Sequence, residues 1–178
     1  MGQLREALPN LHLVVAGHDA GNGHGRRVRE LTRSHSVSDR VHFVGEVRGE
    51  EKPRTLFGAD AFVLSSYTEG LPVAAIEAMA ARLPVILTPG CNLPEVKKAG
   101  AGVIVSPSPR AVAAGIRKVF ESESDLQRMG QNARGLVERK FTWDRIARRM
   151  LRAYGRVLGW DDSSLVDPRA NEVSASAV

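Results

Sequence analysis

Two glutamates, Glu69 and Glu77, stand eight residues apart around the run Glu-Gly-Leu-Pro-Val. Glu69 falls in a polar, glycine-bearing loop that follows an apolar run. Glu77 falls on a helix expected over residues 72–81, with Pro72 in its first turn, where proline is tolerated. A helix N-terminus carries unpaired N–H groups and a partial positive charge, so the loop-to-helix junction is chemistry suited to a phosphate. Taken singly, Glu69 also suits a loop that favours the positive helix end, and Glu77 a solvated helix face. The other loops after the strands, at residues 18–25, 45–49 and 88–92, also carry glycines that let backbone approach a ligand. His18, Asp19 and His24 lie together in the loop after Gly17 and read either as metal ligands or as a polar loop close to a phosphate; the second reading is favoured, and no metal is expected.

These loops need a scaffold, and the chain supplies the pattern of one. Short apolar runs at residues 11–16, 40–44, 60–64, 84–87 and 102–105 read as strands. Helical patterns at residues 26–35, 51–57, 72–81 and 94–98 separate them. Continuous apolar strands alternating with helices predict a parallel sheet covered on both faces. The fold class is therefore α/β, doubly wound and Rossmann-like, with ligands expected beyond the carboxyl ends of the strands. Past Pro107 only helices are expected. Three stripes, Val112 to Phe120, Leu126 to Val137 and Ile146 to Leu158, follow helical spacing and predict core-facing surfaces.

The chain has 178 residues, 43% hydrophobic and 25% charged, which fits one domain over residues 1–159 and excludes disorder as the main state. Residues 160–178 lack periodicity and are expected to form a disordered tail. No apolar run reaches the ~18 residues a membrane span needs, and no leader precedes the first strand, so a cytoplasmic setting is expected. The single cysteine, Cys91, excludes an intrachain disulfide. Residues 110–159 hold most of the excess basic charge behind the net +5. That segment suits nucleic acid, anionic lipid, a phosphorylated ligand or a solvated helix face. With 5% aromatics and no recognised nucleic-acid motif, a nucleic-acid partner is not expected.

In its surroundings, the Glu69–Glu77 pair resembles the E-x7-E signature of glycosyltransferase family 4, the group 1 retaining glycosyltransferases of the GT-B fold. The resemblance runs from Val-Val-Ala-Gly17 through Asp39-Arg-Val-His-Phe-Val-Gly45 and the segment at 65–95 to Phe141-Thr-Trp143, and covers roughly residues 10–158. It implies the donor-binding, C-terminal half of such an enzyme. Glu77 would then take the ribose hydroxyls of a nucleoside diphosphate sugar, and Glu69 would hold the donor sugar near the reacting carbon as the catalytic residue. Gly70, Leu71, Pro72 and Val73 would lie against the sugar and pyrophosphate. Gly17 would allow close approach to the phosphates, and Gly45, Glu46 and Val47 would receive the base. The implied donor is a UDP-sugar or GDP-sugar used without a metal, and the acceptor a sugar, a lipid-linked group or a small molecule. The family's last helix packs toward an acceptor-binding domain, so the basic segment would face such a domain or a membrane surface to which the protein is peripheral. The resemblance also implies a first strand and helix ahead of residue 10, bearing basic residues for the pyrophosphate. Only residues 1–9 stand there, so an exposed sheet edge is expected. A non-catalytic nucleotide-sugar-binding module that works with a partner acceptor domain is the alternative reading.

Overall fold

The computed structural model describes residues 1–19 and 21–159. The tail expected at 160–178 lies outside the described residues. The chain divides into two compact units, residues 1–136 and residues 137 onward, with the division inside a helix.

In the first unit, strands and helices alternate: β1 (Leu13–Ala16), α1 (His24–Ser34), β2 (Val41–Gly45), α2 (Glu51–Phe57), β3 (Phe62–Leu64), α3 (Val73–Ala80), β4 (Val85–Leu87), α4 (Glu95–Ala99) and β5 (Gly102–Ile104). Helices α5 (Pro109–Val119) and α6 (Glu123–Lys140) follow, and α6 runs on into the second unit. Every strand pair is parallel, as the apolar runs predict. Five strands and their helices thus fall where the sequence puts them, with the ends moved by a few residues.

The strands do not form one sheet. β1 pairs with β2, and β3, β4 and β5 pair in that order as a separate sheet. Each of the two sheets therefore ends in strands paired on one side only. Burial follows the pairing. β4 has a partner on each side, and Val85, Ile86 and Leu87 are all buried, whereas β3 is only half-buried and Val14 of β1 is exposed.

The core gathers around β4. Ala75, Ala78 and Met79 of α3 are buried, and α3 packs against β3 and β4. Helix α5 packs against β4 and β5 through a face that includes Ala113 and Val119. It is capped by Ser108, whose Oγ accepts the Ala111 amide at 3.3 Å. The stripe of α6 likewise buries Ala133 and Leu136.

The second unit carries α7 (Trp143–Leu158). Its stripe behaves differently from the core-facing surface expected of it. Met150, Tyr154, Val157 and Leu158 are exposed, together with Trp143. Arg145, Arg148, Arg149, Arg152 and Arg156 occupy the opposite arc. Helical periodicity requires that an apolar face exist, not that the same polypeptide covers it.

Candidate functional site

The loop from Ser65 to Pro72 leaves the carboxyl end of β3 and is tied down from two sides. The Ser66 hydroxyl donates to Glu69 Oε1 at 2.6 Å, and the Glu69 amide donates to the Gly90 carbonyl at 2.8 Å. Beneath it, buried Thr88 donates through Oγ1 to the Ser66 carbonyl at 2.5 Å, and the Cys91 thiol donates to the Leu64 carbonyl at 3.3 Å. The loop after β4 therefore latches the loop after β3, and the Glu69 carboxylate has its orientation set by Ser66. Sequence reasoning assigned no role to Ser66, Thr88, Gly90 or Cys91. The partners of Thr88, Gly90 and Cys91 lie more than twenty residues away, which local spacing does not encode.

Thr88→Val keeps the shape of the side chain and leaves the Ser66 carbonyl without its donor. A loss of about 1–3 kcal/mol is expected for an unsatisfied group at a shielded site, read as a lowered midpoint in urea denaturation with an unchanged slope.

Pro72 precedes α3 rather than entering it, at φ −78° and ψ 72°, and the helix starts at Val73. The Val73 amide is already engaged with the Leu71 carbonyl at 2.8 Å, and Pro72 has no amide hydrogen. The amides of Gly70, Leu71 and Ala74 donate to no backbone group among the described residues, so they are the donors left at this helix end. The first turn of α3 contains no acidic residue to use its positive end.

Glu77 lies one turn further along α3. Its Oε2 is shielded from solvent and takes no hydrogen bond, and the Lys52 ammonium of α2 sits 2.5 Å from it. The two observations agree when the contact is an ion pair poorly aligned for hydrogen bonding. Lys52 had no sequence signature, because its partner lies 25 positions on and in another helix.

A cleft of about 610 Å³ opens beside the carboxyl ends of β1 and β2. Gly17, Gly45 and Glu46 line it, with His18, Asp19 and Arg29. The Gly17 amide donates to the Gly45 carbonyl at 2.7 Å, which brings the two glycines together. Gly45 has φ +73°, a backbone that L side chains rarely adopt, so glycine is required there. Glu46 pairs with Arg48 at 2.8 Å, and Val47 is half-buried outside the cleft lining. Asp19 Oδ1 accepts the Gly21 amide at 3.1 Å and tightens the loop that also carries His18 and His24. The expected residues thus form two groups: Gly17, Gly45 and Glu46 on the cleft of one sheet, and Glu69 to Val73 with Glu77 at the end of the other.

The family described as Glycosyl transferases group 1 matches residues 1–136. The chain belongs to that family. Group 1 relatives include a subunit of human phosphatidylinositol N-acetylglucosaminyltransferase, 26% identical over 157 residues, which cover 87% of this chain and 32% of the relative. D-inositol 3-phosphate glycosyltransferase of Salinispora tropica is 30% identical over 165 residues, covering 89% and 33%. Among solved structures, sucrose-phosphate synthase of Thermosynechococcus elongatus superposes with a TM-score of 0.76 at 27% identity, over 89% of this chain and 41% of that one. The C-terminal domain of a group 1 glycosyltransferase from Francisella tularensis gives 0.72 at 21% identity, a likeness of fold, over 80% and 75%. The group 1 chain described here spans about a third of the length of the curated relatives named above. The fold is that of a GT-B glycosyltransferase half.

Proposed function

We propose that residues 1–159 bind the nucleoside diphosphate sugar of a retaining glycosyltransferase and present it for transfer to an acceptor hydroxyl. The observation that carries this reading is Glu77, whose shielded Oε2 takes no hydrogen bond beside Lys52, on the helix whose end leaves the Gly70, Leu71 and Ala74 amides without backbone partners. Glu77 accepts the ribose hydroxyls. The free amides and the positive end of α3 meet the diphosphate, whose charge grows as the sugar departs. Glu69, held by Ser66, accepts a sugar hydroxyl close to the reacting carbon. Gly17 admits the phosphates, and Gly45, Glu46 and Val47 border the base. The donor is a UDP-sugar or GDP-sugar, and no metal is required because helix and backbone supply the positive potential. The acceptor, a sugar, a lipid-linked group or a small molecule, belongs to a part of the enzyme beyond the donor half.

The short span relative to the relatives supports a second reading, a donor-binding module that turns over only with an acceptor-binding domain. The exposed basic and apolar arcs of α7 suit such a domain or the surface of a membrane in a cytoplasmic setting.

Calorimetric titration with UDP, GDP and their sugar conjugates tests the reading. One nucleotide is expected to bind, its sugar conjugate more tightly, and Glu69→Gln to remove the difference between the two. Failure of every nucleotide to bind a cooperatively folded chain would overturn it.

A further inference from the structure

We propose, resting on the donor-binding function above, that the donor is a guanine nucleotide, its base stacked on Arg29 and its Watson–Crick edge read by the Glu46 carboxylate. Two side chains of unlike chemistry, one a planar cation and one an anion, line the same cleft beside the carboxyl ends of β1 and β2. The Arg29 guanidinium, on α1, lies 4.1 Å from the centroid of the Phe43 ring on β2. Apart from that ring, its side chain has no hydrogen bond or ion pair among the described residues. The ring braces one face of the guanidinium. The other face and the N–H donors are left for a ligand.

Glu46 follows Gly45 at the end of β2, and its carboxylate is engaged on one side only. Its Oε1 meets Arg48 at 2.8 Å, and its Oε2 has no hydrogen bond or ion pair among the described residues. A carboxylate only accepts hydrogen bonds, and its two oxygens can take two parallel donors at once. Of adenine, cytosine, guanine and uracil, only guanine sets two neighbouring donors, the ring N1–H and the exocyclic N2–H2, on its Watson–Crick edge. Uracil offers one donor between two carbonyl oxygens, which a carboxylate repels. Adenine and cytosine each set an acceptor beside the donor. A purine also covers more of a guanidinium face than a pyrimidine does, and bases stack on arginine planes as they do on aromatic rings.

The fold holds the two groups in place by different means. The bond from the Gly17 amide to the Gly45 carbonyl, 2.7 Å long, ties the loop that carries Glu46 to the end of β1. Arg29 is one of several arginines on α1, and the Phe43 ring singles it out by fixing its guanidinium in the cleft. The Glu46–Arg48 pair is exposed, at 43% and 79% of the two side chains, so it orients the carboxylate at little energetic cost to a ligand that displaces Arg48. The cleft, about 610 Å³, falls within the range of small-ligand sites.

Calorimetric titration of the full chain with GDP, UDP, ADP and inosine diphosphate tests this, with thermal melts to confirm that each variant folds. Inosine diphosphate differs from GDP only in lacking N2–H2. GDP is expected to bind about tenfold or more tightly than each of the other three. Glu46→Gln puts an amide donor in place of one acceptor oxygen, and is expected to bring GDP and inosine diphosphate within about twofold of each other. Arg29→Lys keeps the charge and loses the plane, and is expected to weaken GDP about fivefold or more. An Arg29 that served only a phosphate would keep its affinity in that variant, because lysine also binds phosphate as a point charge. Equal affinities for GDP and inosine diphosphate in the wild type would overturn the guanine reading, and so would an Arg29→Lys variant that binds GDP as the wild type does. Preference for UDP that Glu77→Ala still weakens would overturn it too, and would leave the donor function standing. Binding of none of the four by a folded chain would sink the donor function and the guanine reading with it.

Discussion

Glu77→Ala is expected to weaken binding of the nucleotide by about 1–3 kcal/mol, roughly 5- to 150-fold in Kd, while leaving the fold nearly untouched. The two effects separate because of where the carboxylate sits. Its Oε2 is shielded against Lys52, and the rest of the side chain is 38% exposed, so the ribose hydroxyls are taken by the accessible side of the carboxylate and lose that acceptor in the variant. Lys52, left behind, has a side chain 40% exposed and can be solvated once the pair is broken. An ion pair at this exposure contributes at most about 1 kcal/mol to folding. The melting temperature should therefore fall by no more than about 3 °C in a chain of this size. Glu77→Gln retains one acceptor oxygen and is expected to fall between wild type and alanine. Titration and thermal melts on the same preparations check both halves. Equal nucleotide affinity in wild type and Glu77→Ala would remove Glu77 from the site, whatever the melts show.

Much of this was legible in the sequence because it depends on local periodicity. The strand Val85–Leu87 reads as a strand since three consecutive apolar residues between turn signals suit burial on both faces, and all three are buried. The pairing order is another matter. The division of the strands into a β1–β2 sheet and a β3–β4–β5 sheet depends on which strands find partners in space, and each strand's own pattern is the same whether or not its neighbour is present. The α7 stripe teaches the same lesson from the other side. Its spacing fixes an apolar face, and burial of that face depends on polypeptide or a surface that the periodicity does not describe. At the candidate site, Glu69 and Glu77 stood out by type and spacing. Lys52 and Thr88 did not, because each acts on a residue more than twenty positions away. Val73 shows a finer limit: its position at the start of α3 suggested a free amide, and the turn at Leu71 uses it.

Gly90→Ala is expected to have the larger structural effect, and to reach donor binding through structure. A Cβ built on Gly90 would stand 2.2 Å from the Tyr67 carbonyl oxygen and 2.6 Å from that of Ser66. Both atoms are backbone, so neither can swing aside as a side chain would, and one of the two loops must move. Overpacking of this kind costs about 1–3 kcal/mol or more. The movement falls on the latch itself, since the Gly90 carbonyl receives the Glu69 amide at 2.8 Å and the Ser66 carbonyl receives the Thr88 hydroxyl. Displacing the loop therefore shifts Glu69 and the Gly70 and Leu71 amides together, and leaves Glu77 where α3 holds it. The expected signature is a lowered urea midpoint together with loss of the extra affinity for the sugar conjugate, with binding of the bare nucleotide reduced less. A variant as stable as wild type that still prefers the conjugate would show that the latch does not set the position of Glu69.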